Sequence, residues 1–556
     1  MRVIRIREFL AKSVSIILTG YIFIMAVIYP LFMTRGGYVS VGNDKYHFFR
    51  VVTFTLLALA FVFWITGFWF NGKKAVRGLI GSRLSSTQWA AVLFVLLTTV
   101  SWFFSSYRAV AFSGSQGWFI GLETILLLIF SYLLIDFLWR YHENIWLCFL
   151  VGSGIAFILG ILNRFSIYPI KFELMAPNFI STLGNINWVA GYFSVLWPIG
   201  AGLYLFGEKK YLRYAAGVYS VVAMGLGIVQ GSESVFLSFA AVFFVLLVIS
   251  LGQWEKYGRA YLEIVIGWCV VCQLVRLFRF IFPGRFNYAV DDISGFLTST
   301  SFSIYLMLVI FIPYLLLKCK AGFPKKNRAR FLGLADDMKG KFTQQLGFHT
   351  CRTKQTEVAV IIKRMVVIAP FALLLLFIFL VIANTITPNG ILGLGGSSLF
   401  NYGDDWGNGR GAIWNLSIEL FIRMSPAEKL IGVGADCFAE FLYGFSDLAA
   451  LCRERFGSQV LRNAHSEILT AFINFGVLGT VAYFSIFTTF IVRFMKKGKR
   501  NAMLYVPALC VVSYLAHNVV SFGQILSLPF VFIVMGISEG GERKRLLWNT
   551  GNKFLI

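Results

Sequence analysis

Long runs of apolar residues recur along nearly the whole of this 556-residue chain. The hydrocarbon core of a bilayer takes about 20 apolar residues per helix, and by that measure the sequence holds about fourteen candidate spans. A composition of 58% hydrophobic and 14% charged residues is incompatible with an ordinary soluble domain. We therefore predict an all-α, polytopic integral membrane protein. The predicted spans cover residues 14–34, 51–70, 87–104, 117–138, 145–163, 186–206, 213–230, 234–251, 260–281, 298–318, 361–386, 466–492, 502–520 and 524–540.

The basic residues cluster in a subset of the connections between these spans. Lys and Arg accumulate in cytoplasmic connections, and counting the spans puts every cluster on the same side. We therefore predict cytoplasmic termini and a place in the cytoplasmic (inner) membrane. The formal charge of +24 follows from this topology and from attraction to anionic membrane lipids, so we expect no nucleic acid partner. The clusters are Arg2 to Lys12, Lys73 to Arg83, Lys209 to Arg213, Lys318 to Arg364, Arg493 to Arg500 and Arg543 to Arg545.

The same count divides the chain into three parts. Residues 1–386 hold eleven predicted spans and a basic cytoplasmic loop at 319–364. Residues 387–465 form one large outer connection, and residues 466–556 hold three further spans and a cytoplasmic tail. An outer connection of this length is either functional or disordered.

The large outer connection has helical patterning. Apolar residues recur at helical spacing from Ala412 to Met424, and Pro426 follows as a stop signal. A second short pattern runs from Cys437 to Leu442. We therefore expect two or three ordered helices lying on the membrane surface.

Two cysteines of this connection leave an alternative open. If Cys437 and Cys452 were oxidised, their disulfide would close a short loop and add roughly 3 kcal/mol of stability on an entropic account. As free thiols they would behave as small apolar residues. Cys269 and Cys272 lie in the middle of a predicted span, where a Cys-x-x-Cys spacing indicates neither a redox nor a metal site.

His465 ends the outer connection and begins a predicted span. If Asn463 is the N-cap, His465 falls in the first helical turn, where the helix macrodipole disfavours an imidazolium. A neutral imidazole is what a general base requires. From the residues alone, an equal alternative is a polar interfacial residue that closes the start of the helix.

Four arginines are candidates for contact with phosphate. Arg410 and Arg462 lie in the outer connection, where an arginine is either solvated, bound to lipid phosphate, or used in bidentate contact with a substrate diphosphate. Arg276 and Arg279 lie near the outer end of a predicted span. An ionisable residue there either lines a cavity or extends to the lipid headgroups.

Five short motifs follow one another along the chain. They are Ser181-Thr182-Leu183-Gly184-Asn185-Ile186-Asn187-Trp188-Val189-Ala190-Gly191-Tyr192, Gly409-Arg410-Gly411-Ala412-Ile413-Trp414, Leu430-Ile431-Gly432-Val433-Gly434, Asn463-Ala464-His465-Ser466 with Leu469, and Phe475-Gly476-Val477-Leu478-Gly479. Together they resemble the signature of the bacterial O-antigen ligase and polymerase superfamily, over roughly residues 85–540. The order of the motifs around one large outer connection makes the resemblance specific.

The resemblance implies a C-type membrane glycosyltransferase that works on the outer face without a nucleotide sugar. Such enzymes transfer a glycan from an undecaprenyl diphosphate carrier to the hydroxyl of an acceptor glycan, lipid or cell-wall polymer. It also implies that His465 is the catalytic base and that Arg410 contacts the diphosphate. No cofactor is implied. The residues expected to contact substrate are Arg462, Arg276, Arg279, Asn185, Asn187 and Trp414.

One stretch departs from the family pattern. Where many members have a Ser-Arg pair opening a span, this chain reads Gly231-Ser232-Glu233-Ser234, so an acid replaces a second family arginine. Either Arg276, Arg279 or Arg462 takes its place, or the donor differs. Glu233 itself is a polar cavity residue or an exposed acid in a turn.

We predict that no metal is used. The acidic pairs Asp404-Asp405 and Asp291-Asp292 fall in connections, where adjacent acids are usually solvated. No Asp-x-Asp follows an early span, as it generally does in metal-dependent C-type transferases.

Two other classes of function fit about fourteen spans. A flippase or exporter of lipid-linked sugars is expected to show internal repeats and charged mid-membrane residues, and neither is evident. A non-catalytic scaffold for envelope assembly is the other class, which the Glu233 departure keeps open. Within the enzyme class, the sequence does not separate a ligase from a polymerase.

Overall fold

The computed structural model shows a chain that is almost entirely helical outside its connections. It describes residues 2–71, 84–173, 176–286, 291–299, 301–322, 352–391, 393–394, 397 and 399–549. Within this part, the only strands are Phe179–Ile180 and Gly184–Asn185, which pair antiparallel. The predicted all-α class is confirmed. The basic cluster Lys73 to Arg83 and most of the predicted loop 319–364 lie outside the described residues.

The helices follow one another with short connections. In chain order they are α1 (Arg2–Phe23), α2 (Tyr29–Leu31), α3 (Gly37–Asn71), α4 (Ser86–Phe104), α5 (Arg108–Ser113), α6 (Leu122–Leu138), α7 (Ile145–Arg164), α8 (Ile186–Phe206), α9 (Lys210–Val229), α10 (Ser234–Gly252), α11 (Trp254–Ile281), α12 (Asp292–Ser299), α13 (Phe302–Gly322), α14 (Arg352–Ile386), α15 (Trp406–Arg423), α16 (Pro426–Ile431), α17 (Phe438–Tyr443), α18 (Ser446–Phe456), α19 (Glu467–Gly498), α20 (Tyr505–Asn518) and α21 (Leu528–Asn549). A π-helical turn, Ile24–Ile28, joins α1 to α2, and a 3-10 turn, Ala502–Leu504, precedes α20.

Many of these helices are long and apolar enough to cross a membrane. In the described part of the chain ten satisfy both conditions, and the bent pair α12 and α13 makes an eleventh if it is one span. Each predicted span coincides with a helix, although α6 and α20 have only 17 and 14 residues. Helix α3 begins at Gly37, so most of the predicted connection 35–50 is helical. The chain is therefore a multi-pass membrane protein, and the count of about fourteen spans stays a prediction.

The chain forms two compact units. The first comprises residues 1–241, 277–294 and 412–556, and the second comprises residues 242–276 and 295–411. Helix α8 is a deeply buried span of the first unit, with 94% of its apolar window covered by protein. It packs against α9 and α20. Packing on several sides fixes the body of this helix, and hydrogen bonds of Asn187 to Ser232 and Gln524 hold its start.

Connections that alternate along the chain meet at one end of the first unit. Tyr38 donates its hydroxyl to the Ser181 carbonyl at 2.6 Å, and Ser105 donates to the Val433 carbonyl at 2.5 Å. We call this the loop end. Which side of the membrane it faces is a prediction from the basic clusters. The loop end consists of residues 105–121, 165–173, 176–185, 230–233, 432–466 and 519–527.

Two buried ion pairs join helices at the opposite end. Arg493 of α19 forms a two-pronged pair with Glu539 of α21, and Arg543 of α21 pairs with Asp136 of α6. Gln88 of α4 also donates to Asp136. Buried charges persist only when they are paired and hydrogen-bonded, so this network fixes how α4, α6, α19 and α21 pack.

Glu539→Gln is expected to destabilise the protein by about 3 kcal/mol, because it leaves Arg493, whose side chain is 22% exposed, without its buried carboxylate partner. The measurement is thermal and denaturant unfolding of the purified protein in detergent. Glu263→Gln is the matched control, since it breaks the pair with Arg259, whose side chain is 51% exposed, and such a pair contributes less than about 1 kcal/mol. Equal effects of the two variants would contradict the stated role of the buried network.

The described residues of the predicted outer connection form four helices, where two or three were expected. The pattern from Ala412 forms α15, which ends at Arg423. Pro426 does more than stop it, because Ser425 and Glu428 form a capping box that starts α16 at this proline. The pattern from Cys437 forms α17, and α18 is a helix that the sequence did not predict.

The two cysteines of this segment are free thiols, so the disulfide alternative is wrong. Cys437 and Cys452 both lie in the apolar core that α15, α17 and α18 share, together with Leu416, Leu420 and Phe438. Burial raises the pKa of the Cys437 thiol well above its usual range. Both side chains therefore act as small apolar residues.

Candidate functional site

His465 has an uncommon backbone conformation. Its φ is +48°, in the left-handed region that residues other than glycine seldom adopt. The Asn463 side-chain oxygen accepts the His465 N–H at 3.0 Å, and the Ala464 N–H donates to the Thr470 hydroxyl at 3.1 Å. These bonds fix the turn that leads into α19.

The predicted cap at Asn463 is wrong. Helix α19 begins at Glu467, with Ser466 at the capping position. Asn463 instead forms a turn with the backbone of His465, so His465 precedes the first helical turn. The macrodipole argument for a neutral imidazole therefore loses its basis, because that field is strongest within the first turn.

The His465 ring is half-buried against Phe522. The two rings meet edge to face at 5.1 Å between centroids and 89° between planes. Phe522 is held by the next residue, because the Gly523 N–H donates to the buried Glu467 carboxylate, which also accepts the Tyr483 hydroxyl at 2.9 Å. Glu467 thus positions Phe522 against His465, a role that the sequence did not reveal.

Arg462 lies in a polar network at the loop end. It donates to the Ser115 hydroxyl, which in turn donates to a Glu440 carboxylate oxygen at 3.3 Å. Ser115 belongs to the connection 114–121 between α5 and α6. Arg462 is therefore held by a hydrogen bond to Ser115, and its side chain is half-buried.

Asp436 anchors the 114–121 connection. Its Oδ2 accepts the N–H of Ser115 at 2.8 Å and the N–H of Ile120 at 3.0 Å, so one carboxylate holds both ends of the connection. Burial raises the pKa of Asp436 to about 7, and the nearby Glu440 acts in the same direction. The two backbone hydrogen bonds and Arg462 lower it.

Protonation of the Asp436 carboxyl should make the free energy of unfolding depend on pH. Because the folded pKa lies above that of an unfolded aspartate, about 3.9, the contribution is complete below about pH 4 and is lost as the pH rises through about 7. Asp436→Asn removes the titration, and its amide oxygen keeps an acceptor for both N–H groups. We expect the variant to gain stability relative to the wild type between about pH 4 and pH 8, measured by thermal unfolding. A difference in stability between Asp436→Asn and the wild type that does not change with pH would contradict the raised pKa of Asp436.

Asn185 and Asn187 have structural partners. Asn185 caps α8 by accepting the Asn187 N–H at 2.9 Å. The Asn187 side-chain oxygen accepts the Ser232 hydroxyl at 2.9 Å, and its carbonyl accepts the Gln524 amide at 3.2 Å. The two asparagines therefore tie the start of α8 to two other connections of the loop end.

The turn Gly231-Ser232-Glu233-Ser234, which departs from the family pattern, is stabilised by a buried side chain. Glu233 is exposed there, as the turn interpretation expects. A buried arginine that the sequence did not single out, Arg164, donates to the carbonyls of Gln230 and Pro177. Its charge stabilises the backbone of the turn.

The remaining predicted site residues are Arg410, Trp414, Arg276 and Arg279, which fall in both units. Arg410 belongs to the second unit, and its guanidinium donates to the Gly407 carbonyl at 2.7 Å. Residues 407–409 all have left-handed φ, which kinks the start of α15. Trp414 is half-buried one turn later, in the first unit.

The two arginines of α11 also differ from each other. Arg276 is exposed and belongs to the second unit. Arg279 belongs to the first unit and lies over the Phe286 ring at 5.3 Å, a cation–π contact that occupies its charge.

The predicted acidic pairs have ordinary roles. Asp291 accepts the Ser294 N–H at 2.7 Å at the start of α12, and Asp404 and Asp405 are exposed. The described residues hold no group of three His, Cys, Asp or Glu side chains that would suit a metal ion. Metal independence stays a prediction.

No protein-family model matches the chain, and no curated protein matches it.

Proposed function

We propose that this chain is a membrane glycosyltransferase of the O-antigen ligase and polymerase type, with a C-type fold of about fourteen spans. In this proposal the loop end faces outward from the cytoplasmic membrane. The enzyme transfers a glycan from undecaprenyl diphosphate to an acceptor hydroxyl, without a metal. The order of the sequence motifs supports the proposal, as does the arrangement around His465.

The left-handed conformation of His465 carries the proposal. A backbone of this kind persists only where its surroundings over-determine it, and such positions concentrate at functional sites. Here the surroundings are the bonds to Asn463 and Thr470 and the ring of Phe522.

In the proposed reaction His465 accepts the proton of the acceptor hydroxyl. The acceptor oxygen forms a bond to the anomeric carbon of the donor sugar, and the bond from that carbon to the diphosphate oxygen breaks. Undecaprenyl diphosphate leaves with the bonding electron pair. The family resemblance, and no contact in the structure, assigns to Arg410 the stabilisation of the negative charge that builds on the diphosphate.

Arg462 is the best substitute for the missing family arginine. It shares the loop end with His465 and is joined to the 114–121 connection through Ser115. Arg279 already lies over an aromatic ring, and Arg276 is exposed. We therefore assign the role of the missing family arginine to Arg462.

His465→Ala is expected to reduce glycan transfer by at least about 100-fold, because a general base contributes roughly 10²–10⁴-fold. The measurement is mass spectrometry of cell-surface glycan in a strain that carries the variant. Loss of long chains would favour a polymerase, and accumulation of long carrier-bound chains would favour a ligase.

The matched control is His142→Ala, which removes an exposed histidine on the connection before α7. It should leave surface glycan unchanged. If His465→Ala also left the amount and length of surface glycan unchanged, the catalytic assignment would fail, and a transporter or scaffold would remain.

Arg410→Ala is expected to slow transfer by about 100-fold or more, the usual effect of losing a group that stabilises transition-state charge. The transfer rate of Arg410→Lys should fall between those of Arg410→Ala and the wild type, since lysine keeps the charge and loses the bidentate geometry. Initial rates in proteoliposomes with a carrier-linked glycan provide the measurement. Arg453→Ala is the control, because Arg453 is exposed on α18, and an equal loss in that variant would contradict a specific role for Arg410.

A further inference from the structure

Two tryptophans form an aromatic corner at the loop end. Trp118 of the 114–121 connection and Trp188 at the start of α8 meet at 6.0 Å between centroids and 80° between planes. Both are half-buried. Trp118 also meets Phe522 edge to face at 4.7 Å, and Phe522 contacts His465. A continuous row of rings therefore leads from the corner to the proposed base.

Two glycines, Gly42 and Gly184, let the backbone pack closely against the Trp188 ring, which restricts its movement. A Cβ added at Gly42 would lie 3.2 Å from the Trp188 ring and 3.0 Å from the Gly117 carbonyl. A Cβ added at Gly184 would lie 3.3 Å from the same six-membered ring of Trp188. A larger residue at either position would displace the indole. A surface fixed in this way binds with little ordering cost.

Two amide residues, Asn187 and Gln524, are joined at the start of α8, where Trp188 lies. Asn187 directly precedes Trp188, and its carbonyl accepts the Gln524 amide. Gln524 is 2% exposed, and its side-chain oxygen is a buried acceptor without a hydrogen-bond partner among the described residues. A buried acceptor of this kind is costly, and a hydroxyl donor would satisfy it.

We propose that the Trp118–Trp188 corner is a saccharide-binding site that holds a neutral sugar ring beside His465. The face of an indole is negative, and it suits the weakly positive C–H groups on one face of a pyranose. The neighbouring amides suit the hydroxyl groups around its rim. The inference rests on the proposed function for the reaction at His465, but the binding itself does not require it.

The alternative reading is an interfacial belt, in which tryptophans anchor a protein at the lipid headgroups. Belt residues face lipid, whereas these two rings meet edge to face and lead to Phe522 and His465. An exposed tryptophan of the belt kind is present at Trp89, which is 60% exposed on α4. It provides a matched control.

The test is a binding titration with protein in nanodiscs, which avoids sugar-based detergents. The probe is the oligosaccharide released by mild acid from the carrier-linked glycan of the native host cells. We expect Trp188→Ala to weaken binding roughly tenfold, which corresponds to about 1.4 kcal/mol. Trp188→Phe should stay within about threefold, because an aromatic face remains. Trp89→Ala should bind as the wild type does.

Trp118→Ala repeats the test on the other wall of the corner, and the thermal midpoint of each variant reports folding. Wild-type affinity in folded Trp118→Ala and Trp188→Ala would overturn the saccharide site, as would a wild-type protein that does not bind the oligosaccharide. If His465→Ala changes surface glycan while the tryptophan variants bind normally, only the saccharide site fails. If the tryptophan variants lose binding while His465→Ala leaves surface glycan unchanged, the saccharide site stands and the proposed transferase fails.

Discussion

One buried carboxylate supports the loop end of the first unit. Asp436 accepts two backbone N–H groups and thereby holds both ends of the 114–121 connection. That connection carries Ser115, which engages Arg462, and Trp118, which reaches His465 through Phe522. A carboxylate away from water is costly unless it is hydrogen-bonded, so the anchor and the connection stabilise each other. The proposed base, the proposed second arginine and the aromatic corner all depend on this contact.

The helices were predictable because hydrophobic length is a local property. Every predicted span coincides with a helix, from α1 to α21, and the patterns after Ala412 and Cys437 became α15 and α17. Errors arose where a local signal has two meanings. Pro426 stops one helix and starts the next, and Asn463 bonds the backbone of His465 without capping α19. The start of α3 was missed because its first residues are too polar for a span search.

The site was only partly predictable, because its partners are far apart in the chain. Asp436 and Ser115 are separated by 321 positions, and Asn187 and Gln524 by 337. No spacing rule joins such residues. The motifs pointed to His465 and to the start of α8, and the fold joins them through the 114–121 connection. The sequence suggested that Asn185 and Asn187 contact substrate. In the structure their side chains form hydrogen bonds that hold the start of α8.

The central claim is that His465 performs glycan transfer at the loop end. The most direct measurement is transfer by the purified protein in proteoliposomes, with a labelled glycan on undecaprenyl diphosphate and an acceptor extracted from the same cells. The account predicts transfer without any nucleotide sugar, and its loss in His465→Gln at unchanged thermal stability. Transfer by His465→Gln at the wild-type rate would contradict the account.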